Sequence, residues 1–391
     1  MCRGVRFIAA GSMLAALAVA APSATARRAS QDEGAAASPA ARHRVAVVPF
    51  TARGGVPDAW TLLWSAIQAS LPSEGFDYVP PMAMYAQMKN RRLRDASILT
   101  HEELSSLADA VGADRLLLGE IYRFRPAPEP EVSFSGRLID PRRLVIESMS
   151  FTALEGRTLM RPAGTGGPVT LERVVAEAAG QFVAELGAPS LGRPFDDSER
   201  LRRASALAPS PATFILPRLA DRNIRRVVVL PFRNQTTHLG AGQAAADVFT
   251  WRLVASGQVS LVDAGDAVRR LLVRGWRTGA PVGRAEVLAL HEDPGVDAVL
   301  MGSVDRWVEG VATGAVPPEI NFSARMLDAA TGKILWAVEH ERRGDQTHTI
   351  YGLGNVHLAE ILMARSASEV LEPLLRALKG KEGSSTGVSR E

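Results

Sequence analysis

Two strings decide the fold: Arg44-Val-Ala-Val-Val-Pro-Phe50 and Arg226-Val-Val-Val-Leu-Pro-Phe232, which lie 182 positions apart. Gly112-Ala-Asp-Arg-Leu-Leu-Leu-Gly119 returns as Gly295-Val-Asp-Ala-Val-Leu-Met-Gly302 at an offset of 183. Gly136-Arg-Leu-Ile-Asp140 returns as Ala324-Arg-Met-Leu-Asp328 at an offset of 188. Three matches in one order at a nearly constant offset indicate two copies of one domain. A function must then suit a duplicated module.

The order of elements matches in each copy. An apolar β-branched run (45–50; 227–232) reads as a buried strand. A helix follows, with Trp60, Leu63, Trp64 and Ile67 in one copy and Ala245, Val248, Phe249 and Leu253 in the other. A short strand comes next (76–79; 259–262), then two helices, one opened by the capping box Thr100-His-Glu-Glu103. Another buried strand ends at the repeated glycine (116–119; 298–302). Val132, Phe134 and Leu138, like Ile320, Phe322, Ala324 and Met326, then alternate with polar residues and meet a second run through a turn. Asp328-Ala-Ala-Thr-Gly332 has the chemistry of a tight hairpin. An apolar-striped helix closes each copy. The expected class is α/β: two tandem mixed-sheet domains with flanking helices, each with a C-terminal antiparallel hairpin.

The boundaries follow from composition. Residues 1–26 read as a signal peptide: Arg3 and Arg6, a short apolar run over 7–21, and an Ala24-Thr-Ala26 cleavage site. The run is too short to span a bilayer. Residues 27–43 read as a flexible leader and 44–187 as the first domain. A Pro- and Arg-rich linker covers 188–223, the second domain 224–379, and a polar tail 380–391. Cys2 is the only cysteine of the 391 residues and precedes the apolar run. A mature chain without it has no disulfide, cysteine nucleophile, thiolate metal site or lipid anchor of this kind. Its charge balance of 43 basic against 42 acidic residues, once Arg3 and Arg6 are removed, gives no electrostatic case for nucleic acid.

Few residues suggest chemistry. Gly240-Ala-Gly242-Gln-Ala-Ala245 follows a strand and precedes a helix, with Asp263 about twenty residues on, as a dinucleotide site requires. Against it, seven residues separate Phe232 from the first glycine. The first copy has only Gly54-Gly55 there, and Val79-Pro80 where the acid would stand. A structural loop is the plainer reading of Gly240, Gly242 and Asp263. His291-Glu-Asp293 and His340-Glu341 have no metal-ligand spacing, and no Gly-x-Ser-x-Gly elbow occurs. Asp114 and Asp297, each before the third strand, read as turn or cap residues. The string Tyr351-Gly352-Leu-Gly354-Asn355-Val-His357 before the last helix reads as a glycine-permitted turn or as a partner-binding loop. No catalytic residue, cofactor or metal is expected.

Four strings of the second copy carry a resemblance to a family. They are Arg226 to Gln235; Gly242, Ala246-Asp247, Leu253, Gly257 and Val262-Asp263; Gly295 to Ser303; and Met326-Leu-Asp-Ala-Ala-Thr-Gly-Lys-Ile-Leu-Trp336. Together they resemble the periplasmic domain of the CsgG-type curli-export proteins. That superfamily includes the penicillin-binding-protein activator lipoproteins and the amino-terminal domain of TolB. The resemblance implies a non-enzymatic periplasmic protein, peripheral to the outer membrane, that binds envelope proteins in export or assembly. Pore-forming members insert long hairpins with strands of ~9–11 residues. The fifteen residues between Ser303 and Glu319 include Pro317-Pro318, so a secretion channel is not expected here. A nucleotide- or small-ligand sensor using the Gly240 loop and an accessory regulator of cell-wall synthesis are the alternatives. Self-association is left open.

Overall fold

The repeated apolar runs form short strands, each followed by the expected elements. The computed structural model describes residues 43–53, 59–159, 169–187, 211–277, 279–292, 295–310, 316–346 and 356–379. The stretches expected to be signal peptide and tail, nearly all of the expected leader, residues 188–210 of the expected linker, and Tyr351, Gly352, Gly354 and Asn355 lie outside the described residues. In the first half β1 (Arg44–Val47) and β2 (Thr51–Ala52) lead to α1 (Ala59–Ser70), β3 (Asp77–Val79), α2 (Pro81–Asn90) and α3 (His101–Val111). Three long strands follow, β4 (Arg115–Arg125), β5 (Glu131–Asp140) and β6 (Val145–Glu155), and then α4 (Leu171–Gly187).

After β7 (Ala212–Ile215), the second half presents the same order. It runs β8 (Arg226–Val229), β9 (Arg233–Asn234), α5 (Ala241–Ser256), β10 (Ser260–Val262), α6 (Ala264–Val273) and α7 (Arg284–Glu292). Then come β11 (Ala298–Val308), β12 (Glu319–Asp328), β13 (Ile334–Arg343) and α8 (Ala359–Lys379).

The protein is α/β with one mixed sheet of thirteen strands among the described residues. Its path is β3-β1-β4-β5-β6 through the first half and β10-β8-β11-β12-β13 through the second, with β7 last. In each half the first three strands are parallel and the long hairpins antiparallel. The halves join at β6 and β10, where Val145 pairs antiparallel with Val262 and the Asp263 amide donates to the Leu144 carbonyl at 3.1 Å. The described residues, all between 43 and 379, belong to one compact unit. The stretch expected to be linker contributes β7, which pairs with β13 from Glu339 to Trp336 and covers that edge.

Local chemistry agrees with several expectations. Thr100 and Glu103 form both bonds of a capping box at α3. Asp114 and Asp297 act alike: each amide donates to the first strand's arginine carbonyl, Arg44 or Arg226, at 2.8 Å. Each carboxylate accepts that same arginine's amide. Gly332, with φ +71, closes the hairpin turn by donating to the Asp328 carbonyl.

One expectation needs correction. The strands that were to end at Gly119 and Gly302 continue to Arg125 and Val308. Glycine is required there for space: a Cβ at Gly119 would lie 2.4 Å from the Phe50 ring, and one at Gly302 would lie 2.4 Å from the Phe232 ring. The last residue of one repeated string seats on the last residue of the other.

Two cores result. Alternation along β1, β4 and β5 sends Val45, Val47, Leu117, Ile121, Val132, Phe134 and Leu138 to a core beneath α1 and α4. Ala46, Val48, Leu116, Leu118 and Tyr122 face the other way, into a larger core that continues through the second half. Helix α5 lies within that core and is buried on all sides: Ala241, Ala244, Ala245, Val248, Phe249, Trp251 and Leu253 are all buried. It packs on β6 of the first half and on β11 of its own.

Candidate functional site

The polar face of β5 defines the site. Because side chains alternate, Ser133, Ser135 and Arg137 point away from the Phe134 core and toward the second half. Arg137 is buried, and its Nε donates to Asp263 Oδ1 at 2.6 Å. The other Asp263 oxygen accepts the Gly265 amide at 3.0 Å and caps α6. Burial works against the charge on Arg137. Asp263, Asp247 and Glu120 outweigh that penalty and hold its pKa above the ordinary arginine value.

Asp247, on α5, is the second joint. One carboxylate oxygen accepts the Tyr122 hydroxyl and also the Ser135 hydroxyl, the latter at 2.5 Å. The other accepts Gln243 Nε2 at 2.9 Å. Burial, with Asp247 and Glu120 close by, pushes the Tyr122 phenol well above its usual pKa. Glu120 is gripped by Arg53 through two bonds, 2.8 Å and 3.0 Å. Burial nevertheless raises Glu120 to about 7, with Arg53 pulling the other way and Asp247 adding to the rise. A small cavity of about 190 Å³ lies among Arg53, Ser97, Arg137, Gln243 and Asp247. Nearby, the His101 amide at the start of α3 donates to Asp266 of the second half at 3.0 Å.

A second charged cluster also bridges the halves. Arg123 reaches Glu360 at 3.0 Å, Glu131 at 3.2 Å and Glu309 at 2.9 Å. Burial opposes its charge, but Glu360 and Glu309 keep its pKa above the usual value. His238 lies 3.1 Å from Glu309 and stacks on Trp307. The hydrogen bond from His238 holds Glu309 down at about 2 although burial works against it.

The residues singled out from the sequence fall around this seam. Gly242 packs directly on the preceding strand's exit: its carbonyl accepts the Phe232 amide at 3.3 Å, and a Cβ there would lie 2.2 Å from the Phe232 carbonyl oxygen. Gly240 faces Arg53 and Tyr122 of the first half, and the Ala241 amide donates to the His238 carbonyl. The start of α5 is therefore filled by the protein's own groups, and Asp263 is engaged by Arg137. His357 lies apart, 3.5 Å from Arg157, and burial followed by the Arg157 charge lowers its pKa. Trp251 is core, with its indole N–H donating to Glu185 at 2.7 Å. Trp60 and Trp64 stack on one another, half-buried, at 5.8 Å.

Arg53, Glu120, Tyr122, Arg137 and Asp247 carry the seam; none was read as a site residue from the sequence, although Arg137 stands in a repeated string and Asp247 in a string that carries the family resemblance. One signal was available. Helix α5 lacks a polar face, which marks a helix covered on all sides, and a carboxylate within such a helix needs partners. Among the described residues no group of three or more His, Cys, Asp and Glu side chains could hold a metal, and no helix is long and apolar enough to cross a membrane.

No family model matches the sequence, and no match to a curated protein was found. Several solved structures are similar to parts of the chain. The PelC dodecamer from Paraburkholderia phytofirmans is 20% identical, with 42% of this chain and 96% of that one covered, at a TM-score of 0.30. The lipoprotein GNA1162 from Neisseria meningitidis is 16% identical over 36% of this chain and 95% of that one, at 0.28. The C-terminal domain of LpoB from Escherichia coli is 15% identical over 37% and 94%, at 0.21.

Proposed function

We propose that the chain is a non-enzymatic scaffold of the bacterial cell envelope, built from two CsgG-like domains, that binds protein partners during export or outer-membrane assembly. The observation that carries this reading is the use made of the buried charge. Asp263 and Asp247 are each tied to side chains of the opposite half, Arg137 in one case and Tyr122 and Ser135 in the other. Such bonds fix the relative position of the two halves of the sheet, which suits a rigid platform for other proteins. The export signal in residues 1–26 supports a periplasmic location. The ends of the sheet, β3 and β7, and the loops between strands and helices supply contact surfaces.

Fractionation of cells producing the tagged chain, followed by in-cell cross-linking, tests the reading. The expected result is a chain beginning at Arg27, found in the periplasm and cross-linked to a defined envelope protein. An unprocessed chain confined to the cytoplasm would overturn it.

A further inference from the structure

The duplication provides an internal comparison at the start of the first strand of each half. Arg44 on β1 stands opposite Asp77 on β3, and the two side chains approach to 4.0 Å. Its counterpart at the offset of 182, Arg226 on β8, stands opposite Ser260 on β10, so it faces a hydroxyl instead of a carboxylate. The surroundings differ as well. A Cβ at Gly112 would lie 3.4 Å from the Arg44 guanidinium, whereas a Cβ at Gly295, the matching glycine, would meet nothing within 4 Å. Arg226 is half-buried and has no ion pair among the described residues. Its Nε is shut off from solvent without a hydrogen-bond partner.

Arg226 lines an open cleft of about 530 Å³ together with Arg142, Arg143, Arg270, His101 and Ser260. Arg142 and Arg143 come from the turn between β5 and β6, Arg270 from α6 and His101 from the start of α3, so both halves contribute. The cleft arises because β10 pairs with β6, whereas its counterpart β3 lies at an end of the sheet. The first half also has Gln87 at the position matching Arg270. Among the described residues, none that lines the cleft is acidic. The carboxylates around it are engaged: Asp266 holds Arg270 at 2.6 Å and takes the His101 amide, and Glu147 pairs with Arg115. Asp109 and Asp140 lie 3.4 Å and 3.8 Å from Arg142 and Arg143, whose side chains are 78% and 81% exposed. Ion pairs that exposed contribute little, so both guanidinium groups can turn toward a ligand at small cost.

We propose that this cleft binds the phosphate groups of a small, multiply charged soluble ligand of the pyrophosphate or phosphosugar class. Guanidinium forks match phosphate oxygens in pairs, and charge-assisted bonds of this kind are the strong ones. A pair of phosphates brings more charge and more acceptor oxygens than a carboxylate. That suits several guanidinium groups converging from β8, α6 and the β5–β6 turn. The near balance of charge over the whole chain conceals the site, because folding gathers these arginines from distant positions. A ligand seated there touches both halves and adds to the stability of the junction. The inference concerns a small ligand and stands apart from the envelope role.

Calorimetric titration of the purified chain with inorganic pyrophosphate, at low and at physiological salt, tests it. Saturable binding is expected, weakening as salt rises. Arg226→Gln should weaken it by at least about tenfold, and so should Ser260→Asp, which restores the carboxylate that faces Arg44. Arg44→Gln should bind like the parent, and oxalate, a dicarboxylate, should bind more weakly than pyrophosphate. Thermal melts without ligand identify the variants that fold like the parent; the two cleft variants differ enough that one suffices. No saturable binding at millimolar pyrophosphate would overturn the proposal, as would folded cleft variants that bind like the parent. Equal weakening by Arg44→Gln would mean diffuse attraction to surface charge and would overturn it too. So would binding confined to phosphatidylglycerol vesicles and lost in the cleft variants, which would assign the cleft to a membrane surface.

Discussion

Arg137 and Asp263, which belong to different halves of the chain, meet at 2.6 Å with both side chains buried. Neither has water as an alternative partner, so removing one leaves the other charged and unpaired. Arg137→Met is expected to cost about 3–5 kcal/mol in urea unfolding. Adding Asp263→Asn, which keeps the cap on α6, should return part of that loss. A single-variant cost below about 1 kcal/mol would mean that the pair does not hold the seam.

Glu120 gives the seam a pH dependence of definite sign. In the folded chain its pKa is raised from 4.5 to about 7, so the folded state holds a proton that the unfolded state has released. Its contribution to stability is therefore full below pH 4.5 and falls as pH rises toward 7. Glu120→Gln has no proton to lose. Its stability relative to the parent should improve across that window by on the order of 2–3 kcal/mol, then level off. Denaturant titrations at pH 5 and pH 8 that give the same difference would refute the assignment.

His340 acts in the opposite direction. Burial, with Arg342 nearby, lowers it from 6.5 to about 4, and it lies edge-on to Phe322. The unfolded chain takes up the proton first as pH falls, so stability is lost between pH 6.5 and about 4. His340→Phe should flatten the acid limb of the stability curve over that range. An unchanged acid limb would show that another group is responsible.

Two glycines in helices should respond oppositely to the same change. A Cβ at Gly242 would lie 2.2 Å from the Phe232 carbonyl oxygen, whereas one at Gly180 in α4 has nothing within 4 Å. Gly180→Ala is expected to stabilise by about 0.5–1 kcal/mol through helix propensity. Gly242→Ala must displace backbone and should cost more than about 2 kcal/mol. Melting curves of the two variants shifting in the same direction would contradict this account.

The repeated strings made much of the fold legible because they encode local contacts. Alternation set the strands, Thr100 and Glu103 set the start of α3, and Asp328 and Gly332 set a hairpin. Even the link between Phe50 and Gly119, repeated in Phe232 and Gly302, was present as two strings that recur together. The site was far less legible. Asp263 was picked out for its distance from a glycine loop, yet its partner is an arginine 126 positions earlier. Arg137 stands in a repeated string, but nothing local distinguishes it from Arg325.

The sequence by itself determined most of the strands, turns and helices of the two halves and the order they share, though not β7 or the far ends of β4 and β11. Those features depend on side chains a few residues apart and come out alike in both halves. Only the tertiary structure decided that α5 is buried between the two halves of the sheet while α1 keeps an open face, and that Arg137 is locked while Arg325 lines a groove. Such fates depend on which half covers the other, a contact between residues more than a hundred positions apart. Matching local patterns cannot specify that asymmetry, because it arises from packing one half upon the other.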